Sequence, residues 1–559
     1  MRKVTVSILV LVLLCSIAAC GGGGGQTSNQ PAGNQSSGNQ ITVNEPTGGD
    51  QLGSQSSGSQ PAVTPPVTED AQSGPKYGGL VRWAGAGDTS IQIGLPHYLP
   101  SAQVGLQPPW AETLLLEATD AAIYPHLAKS WEIRQDESKV IFTLRDDITF
   151  SDGTKLNAEA VKWNVDFFIE TKLMNPAITG ANVLDEYVVE ITLAGYSNAV
   201  LPIFASHSFV MTSKEFFDKN GDEFCRDNPV GTGAFTVAEQ IKGIKVIYER
   251  NPTYWMKGKP YLDNLEYIEM RDVMTQNAAV MSSNPLERVD HIVTGNGEQI
   301  QTLLANADVS INSFVTGHMS MFPSSRDPES PLSKLEVRQA MAYAIDRESI
   351  CEARGFGIWQ PAKALIPPPY SGHKGDQNFF SYDPDKSREL LADAGYPNGF
   401  AVTMHSPTAV DRDMVVALQD MLGRVGIAVD LNFPEAGAAT DLRVNGWDGI
   451  YMGGFTSLPS ISSTYRLYVD PGYQFYPTMW RPFSEYKEWE DLYESARLTI
   501  LPEQANYEKM HEAMLDYMVV IPIYRTYSNY IVNNRVQDSG WGDWGVGTIF
   551  KPWDIWVND

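Results

Sequence analysis

The chain has 559 residues, with 67 acidic against 41 basic side chains and a formal net charge of −26. That balance, with no basic stripe to relieve it, excludes a nucleic-acid surface. Its 8 histidines are scattered and its 4 cysteines follow no metal-ligand spacing, so no metal or other cofactor is expected.

Residues 1–20 open with "MRK", continue as "VTVSILVLVLLCSIAA" and close at Cys20. A short positive end followed by a brief apolar run is the layout of a secretory signal peptide, too short for a membrane-spanning helix. Ile17-Ala18-Ala19-Cys20 resembles a bacterial lipobox, which implies a lipid on Cys20 and an extracytoplasmic chain anchored to the cell membrane, at the cell surface or in a periplasm. Residues 21–75 are Gly, Ser, Gln, Asn, Pro and Thr with almost no large apolar side chain. Such a stretch cannot bury enough surface to offset its ordering entropy and reads as a tether spanning on the order of 40 Å. The remaining body is larger than one core normally serves.

In that body "GGLVRWAG" reads as a strand entering a Gly-rich loop, and "KVIFTLRDDITF" alternates as a half-buried strand. "LNAEAVKWNVDFFIE" sets Val161, Val165 and Phe168 on one helical face behind Asn157 as N-cap, with Trp131 and Trp163 as core aromatics. "DEYVVEITLAG" and "KVIYERNPTYW" supply further strands, and Gly231-Thr232-Gly233 suggests backbone angles closed to other residues. "KLEVRQAMAYAIDRESI" is expected as one helix with Val337, Met341, Ala344 and Ile345 inward, and Arg338 and Asp346 solvated or ion-paired. A helix starts near Asp383-Pro384 and stops at Gly395, and "GIAVDLNF" and "GWDGIYMGG" are strands. The fold class is α/β. Cys225 and Cys351 could pair only if their Cα atoms lie close, which the sequence leaves open.

Seven segments in order, "YPHLAKSWEI" (124–133), "FTLRDDITFSDGTKLNAEAVKWN" (142–164), "NPVGTGAF" (228–235), "NPTYWMKGKPYLDNLEY" (251–267), "VRQAMAYAIDRESI" (337–350), "PAKALIPP" (361–368) and "YDPDKSRELLADAGYPNGF" (382–400), resemble the family 5 extracellular solute-binding proteins of ABC importers, peptide and nickel types. The resemblance implies a two-lobed periplasmic-binding-protein type II fold (cluster C) with an extra third domain. Lobe I would combine 76–110, 232–313 and 520–559; the extra domain would cover 111–231, and lobe II 314–519. It implies a monomer whose partners are a small-molecule solute and ABC permease subunits in the membrane.

Nothing between Asp448 and Arg466 is charged. Peptide-binding members of the family carry an aspartate for the peptide's ammonium group shortly after a Gly-aromatic pair. Here Gly454-Phe455 is that pair, and Leu458, or Ser457 with a one-residue slip, stands in the aspartate's place. Losing one partner of a buried charge pair costs roughly 2–5 kcal/mol, so a solute without an ammonium at this point is expected. Phe455, Thr456, Ser457, Leu458, Trp83, Trp359 and Asp88 are the candidate ligand-binding residues. Aromatic faces and neutral hydroxyls favour a neutral oligosaccharide, with a peptide held by a non-standard amine anchor as the alternative. The other reading of Asp88 is a carboxylate bonded to its own loop.

A metal or metallophore binder and a secreted hydrolase are the remaining alternatives. His318-Met319-Ser320-Met321 is the one soft cluster, read as a core Met pair beside a surface His. No His-Glu-x-x-His, P-loop, Cys-x-x-Cys or Gly-x-Ser-x-Gly after a strand is present, so no enzyme and no catalytic residue is expected.

Overall fold

The computed structural model describes residues 74–95, 105–118, 122–171, 177–206, 209–364, 381–456, 487–498, 520–541 and 550–558, with a few isolated positions between them. Cys20, Ser457 and Leu458 lie outside the described residues, and only the backbone of Phe455 and Thr456 is described.

The first strand, β1 (Leu80–Gly85), buries Val81 and Trp83 on one side, as its alternation predicts. A short hairpin of β2 (Leu115–Glu117) and β3 (Ile123–Pro125) leads to β4 (Ala128–Arg134) and β5 (Lys139–Leu144). After α1 (Ala158–Glu170) come β6 (Ile178–Asp185) and β7 (Val188–Leu193), closing an antiparallel sheet of order β4-β5-β7-β6. Asn157 caps α1 by accepting from Ala160 N at 3.0 Å. Val161 and Val165 pack with Trp131, Phe142, Ile191 and Phe204 in a core of their own. Trp163 is only half-buried and stacks on Phe167.

α2 (Lys214–Asp227) precedes β8 (Phe235–Ile241), β9 (Lys245–Arg250) and β10 (Asn264–Glu269). Next are α3 (Val273–Val280), β11 (His291–Thr294), α4 (Gly297–Leu304) and the long strand β12 (Val309–Pro323). α5 (Leu335–Tyr343), α6 (Arg347–Arg354), α7 (Pro384–Asp393), β13 (Phe400–His405) and α8 (Arg412–Arg424) follow. The chain continues through β14 (Ile427–Asn432), α9 (Ala436–Asn445), β15 (Ile450–Thr456) and α10 (Lys487–Leu498) to β16 (Ile521–Asn533), and ends with the short pair β17 (Val536–Gln537) and β18 (Trp556–Val557).

A ten-stranded mixed sheet of order β14-β13-β15-β12-β16-β11-β1-β10-β9-β8 runs through the molecule. Two groups of apolar residues lie along it. One, at the β1 side, contains Val81, Trp83, Tyr248, Leu265 and Trp541, with Ala84, Ile292, Ile300, Val309 and Ile531 beside them. The other, at the β14 side, contains Met321, Val337, Met341, Leu418, Met452, Ile521 and Ile523. β12 and β16 each reach from the first group to the second: Val309 and Ile531 belong to one, Met321 and Ile521 to the other. Their antiparallel ladder is irregular between Val315 and Gly317 and again between Met319 and Ser320. Such irregularities break the hydrogen-bond ladder and bend a strand locally, here at the middle of the only two strands that enter both groups among the described residues.

Four local expectations change. The helix expected across 334–350 is two helices, because the Asp346 carboxylate accepts from Ser349 N at 3.0 Å and starts α6; Ala344 and Ile345 stay buried at the break. Arg338 is not solvated: it is 2% exposed and donates to the carbonyls of Leu332, Ser333, Tyr517 and Met518. Gly231 and Gly233 are required by space rather than backbone angle, since a Cβ would come within 2.2 Å of Trp110 O at the first and 2.4 Å of Pro109 O at the second. His318 is buried, not at the surface, and hydrogen-bonds with Ser320 Oγ. Cys225 and Cys351 are both buried and both free.

Candidate functional site

Two of the candidate residues, Phe455 and Thr456, lie where β12 pairs with β15 and β16. On one flank β15 pairs with β12 so that Phe455 lies opposite His318 and Thr456 opposite Gly317. On the other flank β16 sets Arg525 opposite His318 and Thr526 opposite Gly317. The described part of the uncharged stretch is therefore paired to β12 at the irregular point of the two bridging strands. Thr316 Oγ1 and Thr526 Oγ1 are hydrogen-bonded at 3.1 Å, and Arg525 Nη1 donates to Gln360 Oε1 at 3.2 Å. This register depends on strand pairing and leaves no trace in local composition.

A second segment approaches from β1. The loop after Gly85 is clamped by groups on β10 and its C-terminal end: Gly87 N donates to Tyr267 Oη at 2.8 Å, and Glu269 Oε2 accepts from both Thr89 N and Thr89 Oγ1 at 2.9 Å. The Thr89 amide, with Arg271 helping, holds the Glu269 carboxyl below its usual range. Burial pushes the Tyr267 phenol up to about 12, so it stays a neutral donor and acceptor. Asp88 turns onto its own loop: Oδ1 accepts from Ser90 Oγ at 2.5 Å and Ser90 N at 2.8 Å, and these bonds lower its pKa.

The two tryptophans are engaged in packing. Trp83 is 5% exposed and stacks on Tyr248 with ring centroids 5.6 Å apart. Trp359 is half-buried and lies flat on Tyr524 at 3.8 Å. Neither placement was legible from composition, because the same residue type serves core and cleft alike.

One residue was missed by sequence reasoning. Phe356 has φ of +49° and is 46% exposed, an unusual state for a bulky side chain. Its carbonyl accepts from Gln301 Nε2 at 2.8 Å, and a Cβ on Gly297 would sit 3.1 Å from its side chain. Since α4 packs in the first apolar group through Ile300 and Leu303, and α6 in the second through Ile350 and Cys351, this turn joins the two beside the bridging strands. The available signal was an aromatic between two glycines, Gly355 and Gly357.

The hydroxyls of Thr316 and Thr526 and the buried guanidinium of Arg525 lie on the two bridging strands, polar groups of the kind that hold small polar molecules. Among the described residues no group of three or more His, Cys, Asp or Glu is arranged to hold a metal ion, and no helix is long and apolar enough to cross a membrane.

Known proteins share this architecture. The chain is similar to the glutathione-binding protein GsiB of Escherichia coli (strain K12), 29% identical over 324 residues that make up 56% of this chain and 61% of that protein. It thus spans about three fifths of the length of the curated relatives it matches. The fold is that of HbpA2 from Haemophilus parasuis, at a TM-score of 0.75 and 19% identity over 86% of this chain and all of that one. NikA from Brucella suis, solved with Fe(III)-EDTA, superposes at 0.72 with 19% identity, and DppA from Helicobacter pylori, solved with the peptide STSA, at 0.65 with 21%. These two cover 86% and 87% of this chain and 100% and 99% of their own. All are mixed α/β folds of the type II periplasmic-binding-protein kind. The model of the bacterial extracellular solute-binding proteins, family 5 Middle, matches residues 122–506, and the chain belongs to that family.

Proposed function

We propose that this protein is the solute-capturing component of an ABC importer, lipid-anchored through Cys20 outside the cytoplasm, and that its solute is a short peptide or peptide-like molecule. It would act as a monomer that hands the solute to a membrane permease without chemical change. The observation that carries the reading is the pair of irregular strands β12 and β16 joining two apolar groups, with the uncharged β15 paired to β12 at the same point. A solute touching both sides binds the closed form better than the open one and shifts the population toward closure. The peptide class is supported by the likeness to proteins named for glutathione and solved with peptides. The neutral oligosaccharide expected from the loop finds no support in these likenesses, and Trp83, 5% exposed, is packed on Tyr248. Leu458, or Ser457 with a one-residue slip, stands where peptide-binding members carry an aspartate, which favours a solute anchored otherwise than by its α-ammonium group.

A thermal-shift screen of the purified protein tests this, since a ligand specific to the folded state raises the melting temperature by mass action. Glutathione, free and N-acetylated di- to tetrapeptides, neutral oligosaccharides and Ni²⁺ would share one plate. A shift with peptides or glutathione, undiminished by acetylation, is expected. A shift with sugars alone would overturn the solute class, and one with free but not acetylated peptides would overturn the anchor argument.

A further inference from the structure

Residues 355–359 cross between the two apolar groups apart from β12 and β16. Gly355 ends α6, its amide donating to Cys351 O at 2.8 Å. Phe356 and Gly357 then take φ of +49° and +77°, and Ile358 N closes the turn on Gly355 O at 2.7 Å. Left-handed angles at both central positions suit glycine or asparagine and disfavour phenylalanine, so the turn is held by its surroundings rather than by local preference. Ile358 packs against the β1-side group that holds Ile300 and Leu303, whereas Trp359, next in the chain, packs against the β14-side group. Gln360 O then accepts from Arg525 N at 2.8 Å, level with His318 and between the two irregular points of β12.

Both sides of this crossing are fixed. On the β14 side Arg354 Nη2 donates to Asp411 Oδ2 at 2.7 Å and Nη1 lies 3.1 Å from Asp413 Oδ2, which ties the end of α6 to the start of α8. Both helices bury residues in the same group, Ile350 and Cys351 from α6, Met414 and Leu418 from α8. On the β1 side the seat is α4. Thr294 Oγ1 donates to Gln299 Oε1 at 2.7 Å and Gln299 Nε2 to Gln276 Oε1 at 3.2 Å, buried bonds that join α4 to β11 and α3. The turn meets this seat at two places. Gln301 Nε2 donates to Phe356 O at 2.8 Å, and a Cβ on Gly297 would come within 3.1 Å of the Phe356 side chain and 3.3 Å of Gly355 O. Neither side yields on its own, so a bend of β12 and β16 that moves one group against the other has to slide the turn on α4. We propose that the 355–359 turn is the stop of this joint: seated on α4 it holds one angle between the two groups, and unseated it lets them sample others. It sets how far the joint moves without touching the solute. The stop rests on the hinge reading given above.

The test is a distance distribution between two spin labels in the full chain without solute. Leu286, before β11, and Val444, in α9, are 84% and 57% exposed. Each is replaced by p-acetylphenylalanine and labelled through its ketone, which leaves the cysteines untouched. Gln301→Ala removes the bond to Phe356 O from an exposed helix position, and should raise the population outside the main distance peak about fivefold. Gly297→Ala sets a methyl between the seat and the turn, and should move the main peak itself. Thr302→Ala breaks only a bond inside α4, from Thr302 Oγ1 to Glu298 O, and should leave the distribution as it was. A Gln301→Ala distribution that matches the unsubstituted protein, an unmoved peak in Gly297→Ala, or equal broadening in Thr302→Ala would overturn the stop. Glutathione added to the labelled protein without these three substitutions tests the functional reading separately. Its failure to change the distances counts against that solute, while the comparison among variants still decides the stop.

Discussion

Acid should destabilise the native fold through His291. This side chain is 2% exposed on β11, lies face to face with Trp541 at 3.8 Å, and among the described residues neither ring nitrogen has a hydrogen-bond partner. Burial lowers its pKa from 6.5 to about 3. The unfolded chain therefore binds a proton below pH 6.5 that the native chain refuses until about pH 3. The contribution to stability is fully present above 6.5 and is lost progressively as the pH falls toward 3. At pH 5.0 the 1.5 units below 6.5 correspond to about 2 kcal/mol, and the whole shift to about 5 kcal/mol. His291→Phe keeps a flat ring against Trp541 and removes the titrating group. Urea unfolding followed by tryptophan fluorescence at pH 7.5 and 5.0 gives the comparison. The variant should gain about 2 kcal/mol over the unsubstituted protein between the two pH values, whatever the other histidines do, because they are common to both. An equal difference at both pH values would show that His291 is protonated or solvated in the native state, and would refute the argument.

Further outcomes follow from single contacts. Gly231→Ala should cost about 3 kcal/mol or more, or prevent folding, because the new Cβ meets the Trp110 carbonyl 2.2 Å away and backbone cannot step aside; thermal unfolding reads it. Arg338→Met should cost about 2–4 kcal/mol, since it strips the donor from four carbonyls, those of Leu332 and Met518 buried and those of Ser333 and Tyr517 half-buried, and denaturant unfolding checks it. Reductant should leave the melting temperature unchanged, and iodoacetamide at pH 8 should leave Cys351 unmodified by mass spectrometry, because the thiol is buried and pushed up to about 12.

Much of the fold was legible because local physics and tertiary structure agree. Asn157 caps the helix it was expected to cap, accepting from Ala160 N; the later helix starts where expected, with Asp383 accepting from Lys386 N, and Gly395 at φ +92° follows it. The departures share one origin, a partner distant in sequence. Arg338 read as a solvated or ion-paired helix charge, whereas the carbonyls of residues 517 and 518 close over it. The glycines at 231 and 233 read as needing special backbone angles, whereas it is Pro109 and Trp110 packed against them that leave no room for a side chain. The candidate site was legible as chemistry, an uncharged stretch after a Gly-aromatic pair, but not as geometry. Nothing in the sequence reveals that Phe455 and Thr456 pair opposite His318 and Gly317 at the irregular point of β12. Phe356 escaped notice because its meaning lies in a left-handed backbone angle and a bond from Gln301.

The central claim is that solute is captured by closure about β12 and β16. Small-angle X-ray scattering, with and without whichever solute shifts the melting temperature most, tests it directly. The account predicts a smaller radius of gyration on saturation, reversed when the solute is dialysed away. Identical scattering curves at saturating solute would show binding without closure and contradict the account.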